Sequence, residues 1–213
     1  MRAWAETASE TSNSLTSYNT DMQSWQTIEY LRWAGIVSLA VIVISGAIPV
    51  FRTVTRPGQS VSQTWSSDTR GHRLISIILT VFGAGLCAFM VGWLIPTYQL
   101  WPGMYAITLV GYLAILGVAW FPMTEGPGEH SFWHPHFIGG AVTACGAIIG
   151  YTAILLANAD IPPFSYRLTL IALLCTAAWP LFFLREVRNY FIVLEVIVVM
   201  LFMAVIAALT FGR

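Results

Sequence analysis

Long apolar stretches alternate with short polar connections along most of the chain. Six stretches stand out after residue 28, at about 29–51, 73–95, 102–121, 136–157, 166–184 and 189–211. A hydrocarbon core ~30 Å thick requires roughly 20 apolar residues in a helix, and each stretch is close to that length. Backbone groups in lipid must be hydrogen-bonded within their own segment, which favours helices. The pattern predicts an all-α, polytopic membrane protein, a bundle of six transmembrane helices within residues 29–213.

The first 28 residues have a different character, because they are polar, rich in Ser and Thr, and mildly acidic. A secretory signal instead begins with basic residues followed by a short apolar core. We therefore expect residues 1–28 to be an N-terminal tail outside the bundle, and the first apolar stretch to be a retained helix.

The arginines are distributed unevenly between the predicted connections. The first and fifth connections hold six of them: Arg52, Arg56, Arg70, Arg73, Arg185 and Arg188. The opposite side holds four: Arg2, Arg32, Arg167 and Arg213. Basic residues near span ends favour the cytoplasmic side. The first, third and fifth connections are therefore predicted to be cytoplasmic, and both termini are predicted to lie outside.

The amino-acid composition supports a membrane protein and excludes several functions. Hydrophobic residues make up 57% of the 213 residues and charged residues only 9%, whereas soluble domains carry about a quarter charged residues. The net charge is zero, so no nucleic-acid partner is expected. The chain contains no lysine, which excludes a retinal or pyridoxal Schiff base and a Walker-type phosphate loop.

A candidate site lies in segment 121–140, which reads FPMTEGPGEHSFWHPHFIGG and holds three of the four histidines. The predicted topology places the fourth at the same membrane face. The resulting histidine/carboxylate cluster comprises His72, Glu125, Glu129, His130, His134 and His136. Imidazole and carboxylate groups bind Zn²⁺ and similar ions. Pro135, however, disfavours a helical conformation at His134, and with it a helical pair of ligands.

Three interpretations of the histidine/carboxylate cluster stay open at this point. The expected one is a solvated interfacial turn that holds no cofactor. A proton-sensing site is the second, because histidine titrates near neutral pH. A site for a metal ion is the third. A haem between facing helices is disfavoured, because all four histidines lie at predicted helix ends.

Glu195 is the one formal charge deep within a predicted span. A charged side chain at that depth costs about 2.5–3.5 kcal/mol on insertion scales, and marks a functional hypothesis by default. Its own helix offers only apolar neighbours, so any partner must come from another helix. Ser45, Thr80 and Thr143 lie at similar predicted depth, and Tyr112 and Thr176 lie a little deeper. Together they are candidates for a polar layer below the histidines. The alternatives are a structural hydrogen bond between helices and a role in transport.

Small and aromatic residues predict how the helices pack and where they end. Glycines in the fourth stretch are expected to bring helices close together: Gly139, Gly140, Gly146 and Gly150. The Gly146-x-x-x-Gly150 spacing is the one typical of close contact between membrane helices. Trp93 and Trp101 bracket the second connection, where the amphipathic indole prefers the membrane–water interface.

A short motif at the third connection is similar to that of a known family. Phe121-Pro122 ends the third stretch, Glu125 follows, and His136-x-x-x-Gly140 opens the fourth. A six-span protein with these residues resembles the prokaryotic family called domain of unknown function 998, which is similar to the Frag1/DRAM/Sfk1-like membrane proteins. The resemblance implies a prokaryotic cytoplasmic membrane and a role linked to lipids. It implies no catalytic residue.

The expected function is therefore that of a non-enzymatic membrane protein that binds lipid or serves as an accessory subunit of a membrane assembly. Membrane lipids, a membrane-protein partner or further copies of the chain are the expected partners. Two alternatives remain. One is a metal-dependent membrane hydrolase that uses the histidine/carboxylate cluster. The other is a small proton-coupled transporter or channel that uses Glu195.

Overall fold

The structure is a computed structural model that describes residues 29–44, 69–121, 134–157, 161–178 and 191–212. Every regular element in these ranges is helical. The first helix, α1, covers 29–44, and α2 begins with Thr69–Phe89. The later helices are α3 at Gly103–Trp120, α4 at Pro135–Leu155, α5 at Pro163–Ala177 and α6 at Phe191–Phe211.

The far end of α2 is irregular, and the irregularity directs a tryptophan inward. Met90–Leu94 forms a π-helical turn, which Ile95–Thr97 continues as a last α-helical turn. A π turn inserts an extra residue into the helix, so the residues that follow face a different side. Trp93 is 1% exposed and stacks on Phe89 with the ring centroids 5.3 Å apart. The indole of Trp93, which was predicted to lie at the membrane–water interface, is buried among other side chains, whereas Trp101 is 64% exposed.

Neighbouring helices run antiparallel, as their paired residues show. On α1 and α2, Leu31 lies against Gly92 and Ser38 lies against Gly85. On α2 and α3, the Ser76 hydroxyl donates to the Ala119 carbonyl, and Gly83 lies against Ile115. The paired numbers rise on one helix as they fall on the other. The same relation joins α3 to α4, where Gly139 lies against Ala114 and Val118, and Gly150 lies against Met104.

The last helix returns to the first and closes the arrangement. The Arg32 guanidinium donates to the Thr210 carbonyl and lies 5.6 Å from the centroid of the Trp93 ring. The Tyr98 hydroxyl donates to the Leu209 carbonyl at 2.9 Å. Ser165 of α5 donates to the neighbouring Ala208 carbonyl at 3.1 Å. Side chains from α1, α5 and the end of α2 therefore bind carbonyls in the last turn of α6.

The outer surfaces of the helices are apolar. Examples on α2 and α3 are Leu74, Ile77, Val81, Leu109, Val110 and Leu113, each 49–60% exposed. Apolar surface on this scale is stable only against lipid or another apolar surface. Three helices in the described residues are long and apolar enough to cross a membrane: His72–Thr97, Gly103–Trp120 and Pro135–Leu155. The predictions of an all-α chain and of a membrane protein are confirmed at this level.

Helix α5, at Pro163–Ala177, and the part of α6 from Glu195 to Phe211 are also apolar, but each of these two segments has only 10–17 residues. Helix α1 is described only over 29–44. The predicted tail at 1–28 and most of the arginines of the first and fifth connections lie outside the described residues. The predicted six-span count and orientation therefore stay predictions.

Candidate functional site

The end of α3 is held by side chains from the helices on either side. Ser76 is fully buried, and its hydroxyl lies 2.5 Å from the Ala119 carbonyl. His136 is 8% exposed, and its Nδ1 lies 3.0 Å from the Val118 carbonyl and 3.1 Å from the Phe121 carbonyl. Carbonyl oxygens only accept, so Nδ1 carries a proton and donates to them. We call this arrangement of Ser76 and His136 the α3 cap.

The α3 cap provides hydrogen-bond donors for carbonyl groups at the C-terminal end of α3. The last carbonyls of a helix have no partner within it, and burial without one costs free energy. His136 was predicted to be one ligand of a possible metal site. The structure instead gives its Nδ1 proton to carbonyls at the end of α3. The residue joins α3 to the first turn of α4.

His134 has a related role one turn away. Its backbone is extended, with φ −66° and ψ 130°, and Pro135 is the first residue of α4. The predicted effect of Pro135 on His134 is therefore confirmed. The His134 Nδ1 accepts a hydrogen bond from the backbone N–H of His136 at 3.3 Å. His134 thus caps the N-terminus of α4, a position that Ser, Thr, Asp and Asn usually fill.

The structure brings three of the proposed metal ligands to one end of α3. His72 lies next to the α3 cap, with its Nε2 3.5 Å from the Ser76 hydroxyl oxygen. Glu125, Glu129 and His130 lie outside the described residues. Within the described ranges, no group of three or more His, Cys, Asp or Glu side chains is placed to hold a metal ion. The described histidines instead contact backbone groups and a serine.

A cavity of about 120 Å³ lies inside the helices, apart from the histidines. We call it the bundle cavity. It is partly open and is lined by residues of α2, α3, α4 and α6. Its surface is almost wholly apolar, and none of the described residues that line it is charged or a histidine. Cys87 is among the lining residues.

Glycines of two helices give the bundle cavity part of its volume. At Gly111, an added Cβ would meet no atom within 4 Å; at Gly146 and Gly150, the nearest atoms would be 3.9 and 3.7 Å away. An alanine would therefore fit at each of the three positions. Close helix packing does not require glycine there, and each missing methyl group leaves space in the cavity.

The close contact between α3 and α4 lies elsewhere. A Cβ on Gly139 would come within 2.6 Å of the Ala114 carbonyl oxygen, and Gly117 approaches the Pro135 carbonyl and the Gly139 Cα. The Gly146-x-x-x-Gly150 spacing was predicted to bring helices together. In the structure, Gly139 does so, whereas Gly146 and Gly150 border the cavity. Gly140 is partly buried in the same helix.

Two of the residues that line the cavity, Thr108 and Tyr151, carry buried hydroxyl groups. The Thr108 Oγ1 and the Tyr151 hydroxyl are buried and make no hydrogen bond within the described residues. Tyr151 is 3% exposed, and its hydroxyl lies toward Thr176 of α5 without the geometry of a hydrogen bond. The Thr176 hydroxyl donates to the Ala172 carbonyl at 2.8 Å. Buried polar groups without partners are rare and call for an explanation.

Thr108 departs from the pattern that other helical threonines of this chain follow. Six of them donate to the carbonyl four residues earlier, at 2.7–2.8 Å: Thr80, Thr143, Thr152, Thr169, Thr176 and Thr210. This local bond satisfies a hydroxyl in an apolar helix. Thr108 makes no such bond, so its hydroxyl is available to hydrogen-bond with another group.

The polar layer predicted below the histidines, near the depth of Glu195, stays a prediction, but several of its members have hydrogen bonds in the structure. Thr143 and Thr176 donate to carbonyls of their own helices. Thr80 also accepts a hydrogen bond from the Trp120 indole at 3.0 Å. Ser45 lies outside the described residues. Glu195 is partly buried near the described start of α6 and is not among the residues that line the bundle cavity.

The residues around the cavity were missed as a site by sequence reasoning. A signal was present: Thr108 and Gly111 are three residues apart on α3, and Gly146 and Gly150 are four apart on α4, so each pair shares a helix face.

Comparison of the chain with protein families, with curated proteins and with solved structures gives no match.

Proposed function

We propose that this protein is a six-span membrane protein that binds a lipid-like molecule in the bundle cavity and acts by binding rather than by catalysis. The observation that carries the proposal is the glycine lining. Gly111, Gly146 and Gly150 hold space open where alanine would fit. Filling a void of this size stabilises a protein by roughly 3 kcal/mol at about 24 cal/mol per Å³. A space lined this way fits a binding role.

The surroundings favour a lipid over a water-soluble ligand. The cavity is apolar, and the helices that enclose it have apolar outer surfaces. A ligand that reaches the cavity from the membrane must itself be soluble in lipid. The lipid-linked role implied by the resemblance to the family called domain of unknown function 998 points the same way. We propose an arrangement with cytoplasmic first, third and fifth connections and both termini outside, based on the arginine distribution.

The chemistry of the cavity supports binding over catalysis. Cys87 is the one thiol among its described lining residues, and no histidine, aspartate or glutamate accompanies it there. A cysteine nucleophile requires a nearby base or a lowered pKa to be effective.

The test is native mass spectrometry of the protein extracted in a mild detergent. We expect one bound lipid per chain, and loss of that lipid in Gly111→Leu, because the leucine side chain fills the cavity. Val110→Leu is the matched control, because Val110 is 52% exposed on the outside of the same helix. Equal lipid retention by both variants would contradict the proposal, as would a wild-type protein that carries no lipid.

A further inference from the structure

The chemical class of the ligand follows from the cavity itself, and this step rests on the proposed function. Three properties define the class: the charge of the lining, the size of the space and the position of the two hydroxyls that lack partners.

The charge of the lining selects a neutral ligand group. None of the described lining residues is arginine, histidine, aspartate or glutamate. An ionised group in an apolar cavity loses its hydration without gaining a counter-charge, and this costs many times the loss of one hydrogen bond. A phosphate or carboxylate therefore does not belong in this cavity.

The size of the cavity limits what enters it. An apolar cavity of about 150 Å³ in another protein accommodates benzene, and the bundle cavity has about 120 Å³. It therefore holds a compact ring or the end of a chain, and not a whole phospholipid. The rest of a larger molecule must extend beyond the cavity, which is partly open.

Thr108 and Tyr151 lie at similar distances from the same end of the bundle. Thr108 is five residues after Gly103 at the start of α3, and Tyr151 is four residues before Leu155 at the end of α4. At 1.5 Å per residue, these positions are roughly 7.5 and 6 Å from the helix ends. The start of α3 and the end of α4 lie at the same end of the bundle, because the two helices run antiparallel.

We propose that the bundle cavity recognises the oxygen of a neutral lipid, in the form of a hydroxyl, ketone or ester group, through the Thr108 and Tyr151 hydroxyls. Both hydroxyls donate and accept, so either kind of oxygen finds a partner. The apolar part of the same molecule fills the space next to Gly111, Gly146 and Gly150. The ligand thereby supplies partners to the two buried hydroxyls among the lining residues that make no hydrogen bond within the described residues.

The experiment uses three probes with the same ring: benzene, phenol and benzoate. Occupancy of the cavity is read as protection of Cys87 from N-ethylmaleimide, in a chain where Cys145 and Cys175 are replaced by serine. The variants are Tyr151→Phe and Thr108→Val, singly and together, because each removes a hydroxyl with little change in shape. Comparing variants in the same detergent cancels the partition of each probe into the micelle.

We expect phenol to protect Cys87 at about tenfold lower concentration in the parent chain than in the double variant, the ratio that one hydrogen bond supplies. Protection by benzene should be unchanged by the substitutions, and benzoate should protect weakly throughout. Phenol protection that is equal in the parent and the double variant would overturn the inference, and so would strong protection by benzoate. Failure of the proposed function looks different, because then none of the three probes protects Cys87.

Discussion

Among single residues, the histidines show that the position of a side chain in the fold determines its role. Sequence alone presents His134 and His136 as possible metal ligands. In the structure both contact backbone groups, because helix ends leave backbone groups without partners inside the helix. His136 donates to the end of α3, and His134 accepts from the start of α4. One imidazole acts as a donor and the other as an acceptor through the same ring atom, Nδ1.

Replacing His136 should therefore destabilise the fold more than replacing His134 conservatively. His136→Ala removes the donor to the Val118 and Phe121 carbonyls, and we expect a loss of about 1–3 kcal/mol in the free energy of unfolding. His134→Asn keeps an acceptor at the N-cap and should change the free energy of unfolding by less than about 0.5 kcal/mol. Equilibrium unfolding in mixed micelles measures both. Similar losses for the two variants would argue against the α3 cap.

At the scale of helices, the apolar pattern located the elements well. The predicted stretches at 102–121 and 136–157 correspond to Gly103–Trp120 and Pro135–Leu155. Length, hydrophobicity and proline position suffice for this, because they act locally along the chain. The π turn at Met90–Leu94 was not predictable in the same way. Its consequence, the burial of Trp93, depends on Arg32 and Phe89, which contact the indole ring from α1 and from the preceding turn of α2.

The roles of the glycines in α4 also depended on the neighbouring helix. Their spacing suggests close packing at each position. Which glycine contacts α3, however, depends on how α3 is placed against α4. Gly139 meets the backbone of Ala114, whereas Gly146 and Gly150 face space. The cavity arises from residues on four helices, and a pattern within one helix does not reveal it. This is why helix positions were predictable while the candidate site was not.

Alanine substitutions should separate these two kinds of glycine. Gly139→Ala places a methyl group within 2.6 Å of the Ala114 carbonyl oxygen, so α3 and α4 must move apart at a cost of about 1–3 kcal/mol. Gly146→Ala meets no close atom and adds helix propensity, so stability should be unchanged or rise by up to about 1 kcal/mol. Thermal unfolding in detergent compares the two. A destabilised Gly146→Ala variant would show that the space beside Gly146 is not free.

At the scale of the whole molecule, one junction connects the two ends of the described chain. The Arg32 side chain is 20% exposed, lies over Trp93 and donates to the Thr210 carbonyl. Its ion pair with Glu29 is exposed at 3.4 Å and contributes little, because water screens such pairs. The contacts with Trp93 and Thr210 matter more, because they connect α1 to both α2 and α6. Arg32, which in the predicted topology is only a charge on the outer side, thus also has a packing role in the structure.

Arg32→Met tests whether this junction stabilises the whole bundle. Methionine keeps much of the apolar stem but removes the guanidinium, so the contact with the Trp93 ring and the hydrogen bond to Thr210 are lost together. We expect a loss of about 1–3 kcal/mol in the free energy of unfolding, measured by denaturation in mixed micelles. Arg167→Met is the matched control, because Arg167 is exposed in the second turn of α5. Equal stability of the two variants would mean that α1 is held to α6 by apolar packing, without a contribution from the Arg32 guanidinium.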